Sequence, residues 1–211
     1  MLARSTRGNT LNDCVDTPLS FPQQVQIRLA SGERRGSLIE HATTPAVLRM
    51  LGLPAAPLTM APSILLKIAT GKQGDRPPLT QKQIERIPEL LDDPVAIYIQ
   101  PGEVSWTVLS SEWDSKGNPI VICVRPYCRD GVRRINAITT AFGKDYAHEW
   151  VLKQAKALRY RGQKANPRLP LPGPIYNQAG ALKTEGSDVI LLGPEDLRKY
   201  RESSRAKTLS I

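Results

Sequence analysis

Histidine, cysteine and aromatic side chains are all scarce in this chain, and each scarcity removes a class of chemistry. With two histidines among 211 residues, no spacing resembles the His/Asp/Glu ligand set of a zinc hydrolase. The three cysteines, Cys14, Cys123 and Cys128, form an odd and sparse set. Cys123 and Cys128 have no companion pair to complete a zinc site, and all three read as buried or free thiols. No metal and no cofactor is expected. Aromatics at 5% leave the core to Leu, Ile, Val and Ala. No apolar run approaches the roughly 18 residues of a membrane helix. The basic residues between Met1 and Cys14 are not followed by the apolar stretch of a secretory signal. P-loop, GxGxxG and GxSxG motifs are all missing.

Proline and positive charge are abundant instead. Eighteen prolines assign much of the chain to turns and extended linkers. The formal charge of +9 is uneven: residues 1–150 carry 17 Lys+Arg against 15 Asp+Glu, and residues 151–211 carry 12 against 5. The last quarter therefore supplies a basic field, of the kind that draws phosphates by Coulomb steering and counterion release. A solvated surface that only aids solubility is the plainer reading. RNA is the expected partner, and a membrane is not.

The pattern divides the chain into a flexible leader (1–22), an α+β domain (23–165) and a proline-rich linker with a basic C-terminal extension (166–211). Val25 to Leu29 alternates and predicts a strand. Thr44-Pro45 predicts a helix start with Thr44 as N-cap, a face of Val47, Leu48 and Leu51, and a stop at Gly52. Ala61-Pro62 opens a second helix that ends at Gly71. Thr80 with Gln83 forms a capping box for a third, with Ile84, Ile87, Leu90 and Leu91 inward. Pro88 should kink or split it.

Beyond Pro94 the apolar period falls to two. Strands are expected over 95–99, 104–109, 119–125 and 133–142, with a hairpin loop at Asp114–Asn118 and a turn at Arg129-Asp130-Gly131. A helix over 146–160 closes the domain. The fold expected is α+β: N-terminal helices, then a four- to five-stranded antiparallel sheet, a closing helix and the basic extension.

Chemistry that needs few groups fits this inventory. Metal-free RNA cleavage uses the substrate's 2′-hydroxyl as nucleophile, a base, an acid, and cations or hydroxyls around the phosphorane. Thr139, Thr140 and Lys144 lie on and just past the last strand, and Arg125 ends its neighbour. Alternation puts Asn136, Ile138, Thr140 and Phe142 on one face, so that a hydroxyl stands beside a ring able to stack a base. Threonine is also simply a good strand former. His41 and His148 are the groups that titrate near neutrality, as a base or as surface residues. Trp106, Trp113 and Trp150 read as packing.

Several segments resemble the MuF C-terminal domain of phage-derived polymorphic toxins, over roughly residues 40–165. They are Thr44–Leu53, Ser63–Ile68, Leu90–Val95, the distinctive Asn136–Asp145 and the closing Leu158–Lys164. The resemblance implies the barnase, EndoU, colicin E5/D and RelE-like fold, and a metal-independent ribonuclease leaving 2′,3′-cyclic phosphate ends. It implies a phosphate contact from Thr140, a ring at Phe142 in place of the usual Tyr, and basic roles for Lys144 and Lys67. A histidine common after the second helix is replaced, and Lys72 is the nearest basic group. The catalytic set expected is Thr140, Lys144, Lys67, His41 and Arg125, with Phe142, Thr139 and Lys72 holding substrate. Such a toxin would act in the cytoplasm of a target or host bacterium, as part of a larger secreted effector or a phage head, and be neutralised by an acidic immunity protein. The alternative is a catalytically silent nucleic-acid-binding or phage or plasmid structural protein.

Overall fold

Capping decides the first element against its alternation. The computed structural model describes residues 18–72, 76–163 and 191–209, and the segment expected as a strand at Val25–Leu29 lies inside helix α1 (Phe21–Ser31). The Ser20 side chain accepts from the Gln23 backbone, the Gln23 side chain answers the Ser20 N–H, and Pro22 opens the first turn. These contacts satisfy donors that a strand would leave to a neighbour. Phe21 and Val25, four apart, are the residues the helix buries, and five alternating residues were too few to exclude that reading.

The chain continues through β1 (Ile39–His41), α2 (Ala46–Met50), β2 (Leu58–Met60), α3 (Pro62–Thr70), α4 (Gln81–Glu85) and α5 (Ile87–Asp92). The second helix start is displaced by one residue: Pro45 is the N-cap. Thr44 is buried, and its hydroxyl donates instead to the Ala56 carbonyl at 2.6 Å. The Thr80–Gln83 capping box is present, and Pro88 splits the expected third helix into α4 and α5. β3 (Ala96–Tyr98), β4 (Trp106–Trp113), β5 (Pro119–Asp130) and β6 (Arg133–Gly143) follow as a meander. Asp114 closes the β4–β5 hairpin by accepting from the backbone N–H groups of Lys116 and Asn118.

The closing helix is shorter than its apolar pattern suggested. α6 (Ala147–Lys153) gives way to a 3-10 turn at Ala155–Ala157 and then to β7 (Leu158–Arg161), which pairs with β3. Leu158 and Tyr160 are buried, so their side chains carry the pattern on at a period of two. α7 (Pro194–Leu209) packs on the domain rather than standing apart: Leu197 joins the main core and Arg201 pairs with Asp92 at 2.8 Å. The linker stretch 164–190 and the leader through residue 17 lie outside the described residues.

Seven strands form one mixed sheet in the order β1-β2-β6-β5-β4-β3-β7. β2 lies parallel to β6, and every other pairing is antiparallel. The expected antiparallel meander is thus the β6-β5-β4-β3 part, extended at one edge by two short strands from earlier in the chain and at the other by β7, which had not been expected. One face carries α1 to α5 over a core that includes Val25, Leu48, Leu65, Ile84, Ile87, Val108, Ile122 and Ile138. Each such side chain contributes roughly 1.5–3 kcal/mol by leaving water. The other face carries α6 over Val95, Tyr98, Leu109, Val121 and Val151. Among the described residues no helix is long and apolar enough to cross a membrane.

Asn136 pins the two halves together. It is fully buried; its side-chain amide donates to the Thr44 hydroxyl at 2.7 Å and the Pro54 carbonyl at 3.0 Å, and its oxygen accepts from the Tyr127 N–H at 3.3 Å. Asn136→Ala is expected to cost about 2 kcal/mol, since it strands several buried polar groups at once. Chemical denaturation checks this; an unchanged midpoint would show that water replaces the amide.

Candidate functional site

A bulge on β6 sets which side chains share a face. Cys123 is in register with Thr140 and Val124 with Ile138, so Thr139 is the extra residue. Two residues now oppose one, and the alternation flips across it. Ile138 and Ala141 therefore both point into the core under the N-terminal helices, while Phe142 packs with the α6 cluster. Asn136 and Ile138 do not share a face with Thr140 and Phe142, as unbroken alternation had implied. The Thr139 hydroxyl is occupied, donating to the Cys123 carbonyl at 3.3 Å.

On the α6 face three short side chains line up across neighbouring strands. Thr107 of β4 is in register with Cys123 of β5, which is in register with Thr140 of β6. Such partners sit about 5 Å apart at their Cβ atoms. One step along, Val121 is in register with Phe142. Arg125, two residues beyond Cys123 on β5, falls on the same face and is exposed.

Cations frame this row. The Arg76 guanidinium lies 3.8 Å from the Phe142 ring centroid, well inside cation–π range. Arg76 is anchored through its backbone: Lys72 and Arg76 exchange hydrogen bonds of 2.8 and 3.1 Å directly after α3 ends at Gly71. Lys144 follows β6; its backbone N–H donates to Pro119 at 2.9 Å and its ammonium stands 5.9 Å from the Trp150 ring centroid. Burial pushes the Cys123 thiol up, Glu103 acts in the same direction, and the Thr107 hydroxyl, Arg76 and Lys144 oppose them. Arg76, Lys144 and Glu103 are thus all within electrostatic reach of one sulfur atom. The thiol stays protonated at neutral pH, which makes it a poor nucleophile.

Thr140, Lys144, Arg125 and Phe142 are therefore brought together, with Thr139 beside them in the bulge. The remaining candidates stand elsewhere. His41 ends β1 with the same parity as the buried Ile39. It lines a cleft of about 760 Å³ with Phe21, Arg28, Pro88 and Glu89, on the side of the N-terminal helices. Lys67 is exposed on α3, Lys72 is exposed just beyond it, and His148 is exposed in the first turn of α6. Arg76, Thr107, Cys123 and Glu103 were not anticipated. Strand alternation marks Thr107 and Cys123 once the register is known, whereas nothing local in a proline-flanked loop marks Arg76.

This geometry lies within a recognisable segment. Residues 69–166 match the family model described as the Phage MuF-C-terminal domain. The MuF-matching segment begins near the end of α3, so the resembling stretches Thr44–Leu53 and Ser63–Ile68 fall before it. It holds β3 to β7 and α6, and with them the row Thr107, Cys123 and Thr140, the Arg76–Phe142 stack and Lys144. Comparison with curated proteins and with solved structures finds no match.

Proposed function

We propose that this chain is a metal-independent ribonuclease of the barnase, EndoU, colicin E5/D and RelE-like type, acting as a phage-related toxin. The observation that carries the reading is the convergence on one sheet face of Thr140, Lys144 and an Arg76-stacked Phe142. A phosphodiester placed over Cys123 meets a hydroxyl donor at Thr140 and positive charge from Arg76, Arg125 and Lys144, where negative charge grows in the transition state. Phe142 offers a π-face beside it. Glu103, whose charge acts on the Cys123 thiol, is the carboxylate available to accept the 2′-hydroxyl proton. Attack of that oxygen on phosphorus expels the 5′-oxygen, which takes up a proton from water and departs as a hydroxyl, and leaves a 2′,3′-cyclic phosphate. An acidic immunity protein would complement the same cationic surface.

Total RNA incubated with the protein in excess EDTA is expected to be degraded, with 2′,3′-cyclic phosphate ends on the fragments. Cleavage that stops on chelation and returns with a divalent ion would sink the mechanism. A second reading, nucleic-acid binding without cleavage, is favoured by the position of His41 on the opposite side of the sheet. RNA that is bound yet intact after prolonged incubation would establish it.

A further inference from the structure

The hairpin that joins β5 to β6 runs on past both of its flanking strands. β4 accompanies β5 only as far as the Trp106–Val124 pair, and β2 accompanies β6 only from Asn136 onward. Between them Arg125 to Ile135 forms a two-stranded ribbon that leaves the sheet, with Cys128 opposite Ile135, Arg129 opposite Arg134, and Asp130 opposite Arg133. Its tip is open: Val132 is fully exposed.

Four arginines lie in this ribbon against one acid, Asp130. Arg133 is satisfied, paired with Glu40 of β1 and 3.5 Å from Asp130. Arg125, Arg129 and Arg134 are exposed, and none has a carboxylate partner among the described residues. Arg129 and Arg134 face each other directly across the ladder. Like charges in that relation destabilise a hairpin, so the pair works against the fold that displays it.

The ribbon is nevertheless held in place. Arg133 ties one strand to β1, and the Tyr127 hydroxyl donates to the Gly52 carbonyl at 2.8 Å. Tyr127 adopts φ 56°, an outlier for a bulky residue, at the irregularity between Arg125 and Cys128. Backbone strain of this sort persists only where the surroundings over-determine it. The result is a pre-positioned arm whose spare charge points away from the protein.

We propose that this ribbon is a second RNA-binding element, in which Arg129 and Arg134, which alternation on β6 places on the ribbon face opposite Arg125, grip the phosphate backbone of a strand that passes round the ribbon's edge from a scissile bond on the α6 face. An anionic backbone with phosphates spaced along it relieves the repulsion of two opposed guanidiniums, and arginine suits phosphate through its fork of donors. The inference rests on the reading of RNA as substrate, but not on cleavage.

The test uses the full chain and a fluorescent single-stranded RNA, 2′-O-methylated throughout so that it cannot be cut. Binding is followed by anisotropy against salt. For R129Q/R134Q the slope of log affinity on log salt is expected to flatten by about 1.4, at about 0.7 per lost phosphate contact on a single strand. Weakening should be similar across RNA sequences. The variant should melt no lower than wild type, because it removes a repulsion, and a merely structural role for the arginines would not give that combination. R34Q/R35Q, which removes an exposed arginine pair elsewhere, should leave the slope alone. The proposal is overturned by an unchanged slope in R129Q/R134Q, by an equal loss in R34Q/R35Q, or by tighter binding to DNA of the same sequence. If unmodified RNA stays intact while R129Q/R134Q still flattens the slope, the ribonuclease reading fails and the ribbon stands. If RNA is cut and the slope is unmoved, the ribbon fails alone.

Discussion

Lys144→Ala and Thr140→Ala should each lower RNA cleavage by about 10²-fold, the scale on which one oxyanion donor is lost. Their positions argue for a chemical rather than a folding effect. Both side chains are only half-buried. The Lys144 backbone bond to Pro119 survives truncation of the side chain. Thr140 contributes to the ladder through its backbone, and the neighbouring hydroxyl that braces the sheet belongs to Thr139. Loss should fall on turnover more than on substrate affinity, since these groups meet charge that develops only in the transition state. Thr140→Ser, which keeps the hydroxyl, should recover most of the rate. Full activity in both alanine variants, with unchanged melting, would remove the α6 face from the mechanism.

Gly71→Ala should be strongly destabilising, because dihedral and packing both forbid the added methyl. Gly71 has φ 67° and ψ −164°, a region of backbone space open essentially to glycine alone. A Cβ there would also come within 2.5 Å of the Arg76 carbonyl oxygen and 2.7 Å of the Pro78 nitrogen. Both are backbone atoms and cannot swing aside. Strain of about 1–3 kcal/mol from the dihedral and a similar amount from overpacking add to roughly 3 kcal/mol or more. For a chain of this size that is a fall in Tm of about 6–12 °C. The backbone pairing of Lys72 with Arg76 must open, so Arg76 should also leave the Phe142 ring. Arg76→Ala separates the two effects: it removes the cation while sparing the backbone pairing with Lys72, and should lose cleavage with little change in Tm. A Gly71→Ala protein that melts like wild type would mean that this pairing is not held as described.

Legibility in the sequence followed the locality of each signal. The Thr80–Gln83 capping box, Pro88 and the Asp114 hairpin act within five residues, and each appeared where its residues predict. The fall of the apolar period to two beyond Pro94, with the turns at Asp114–Asn118 and Arg129–Gly131, located the meander. What failed was non-local. The Val25–Leu29 pattern could not reveal that Ser20 and Gln23 had already committed the backbone to a helix. β1 and β2 are three residues each, too short for a period; β2 exists because β6 offers a ladder from seventy-odd residues away, and β1 because β2 then offers one in turn. The Thr139 bulge is invisible to alternation, yet it decides that Thr140 faces α6 while Ile138 faces the core. Charge counting over long stretches pointed to the C-terminal quarter and averaged away the four arginines of residues 125–134, whose importance lies in their cross-strand register.

The parallel strand β2 has a consequence for what happens when the chain is shortened. It covers the outer side of β6 at Asn136 to Ile138, and β1 in turn covers β2. A fragment restricted to the MuF-matching residues 69–166 would lose both. β6 would then be the rim of the sheet along its whole length, with the stretch Asn136 to Ile138 newly unpaired. Bare rims of that kind recruit other extended chains, copies of themselves included. The short N-terminal strands therefore act as a guard against self-association, and a preparation trimmed to the matching segment should be sticky in a way the longer chain is not.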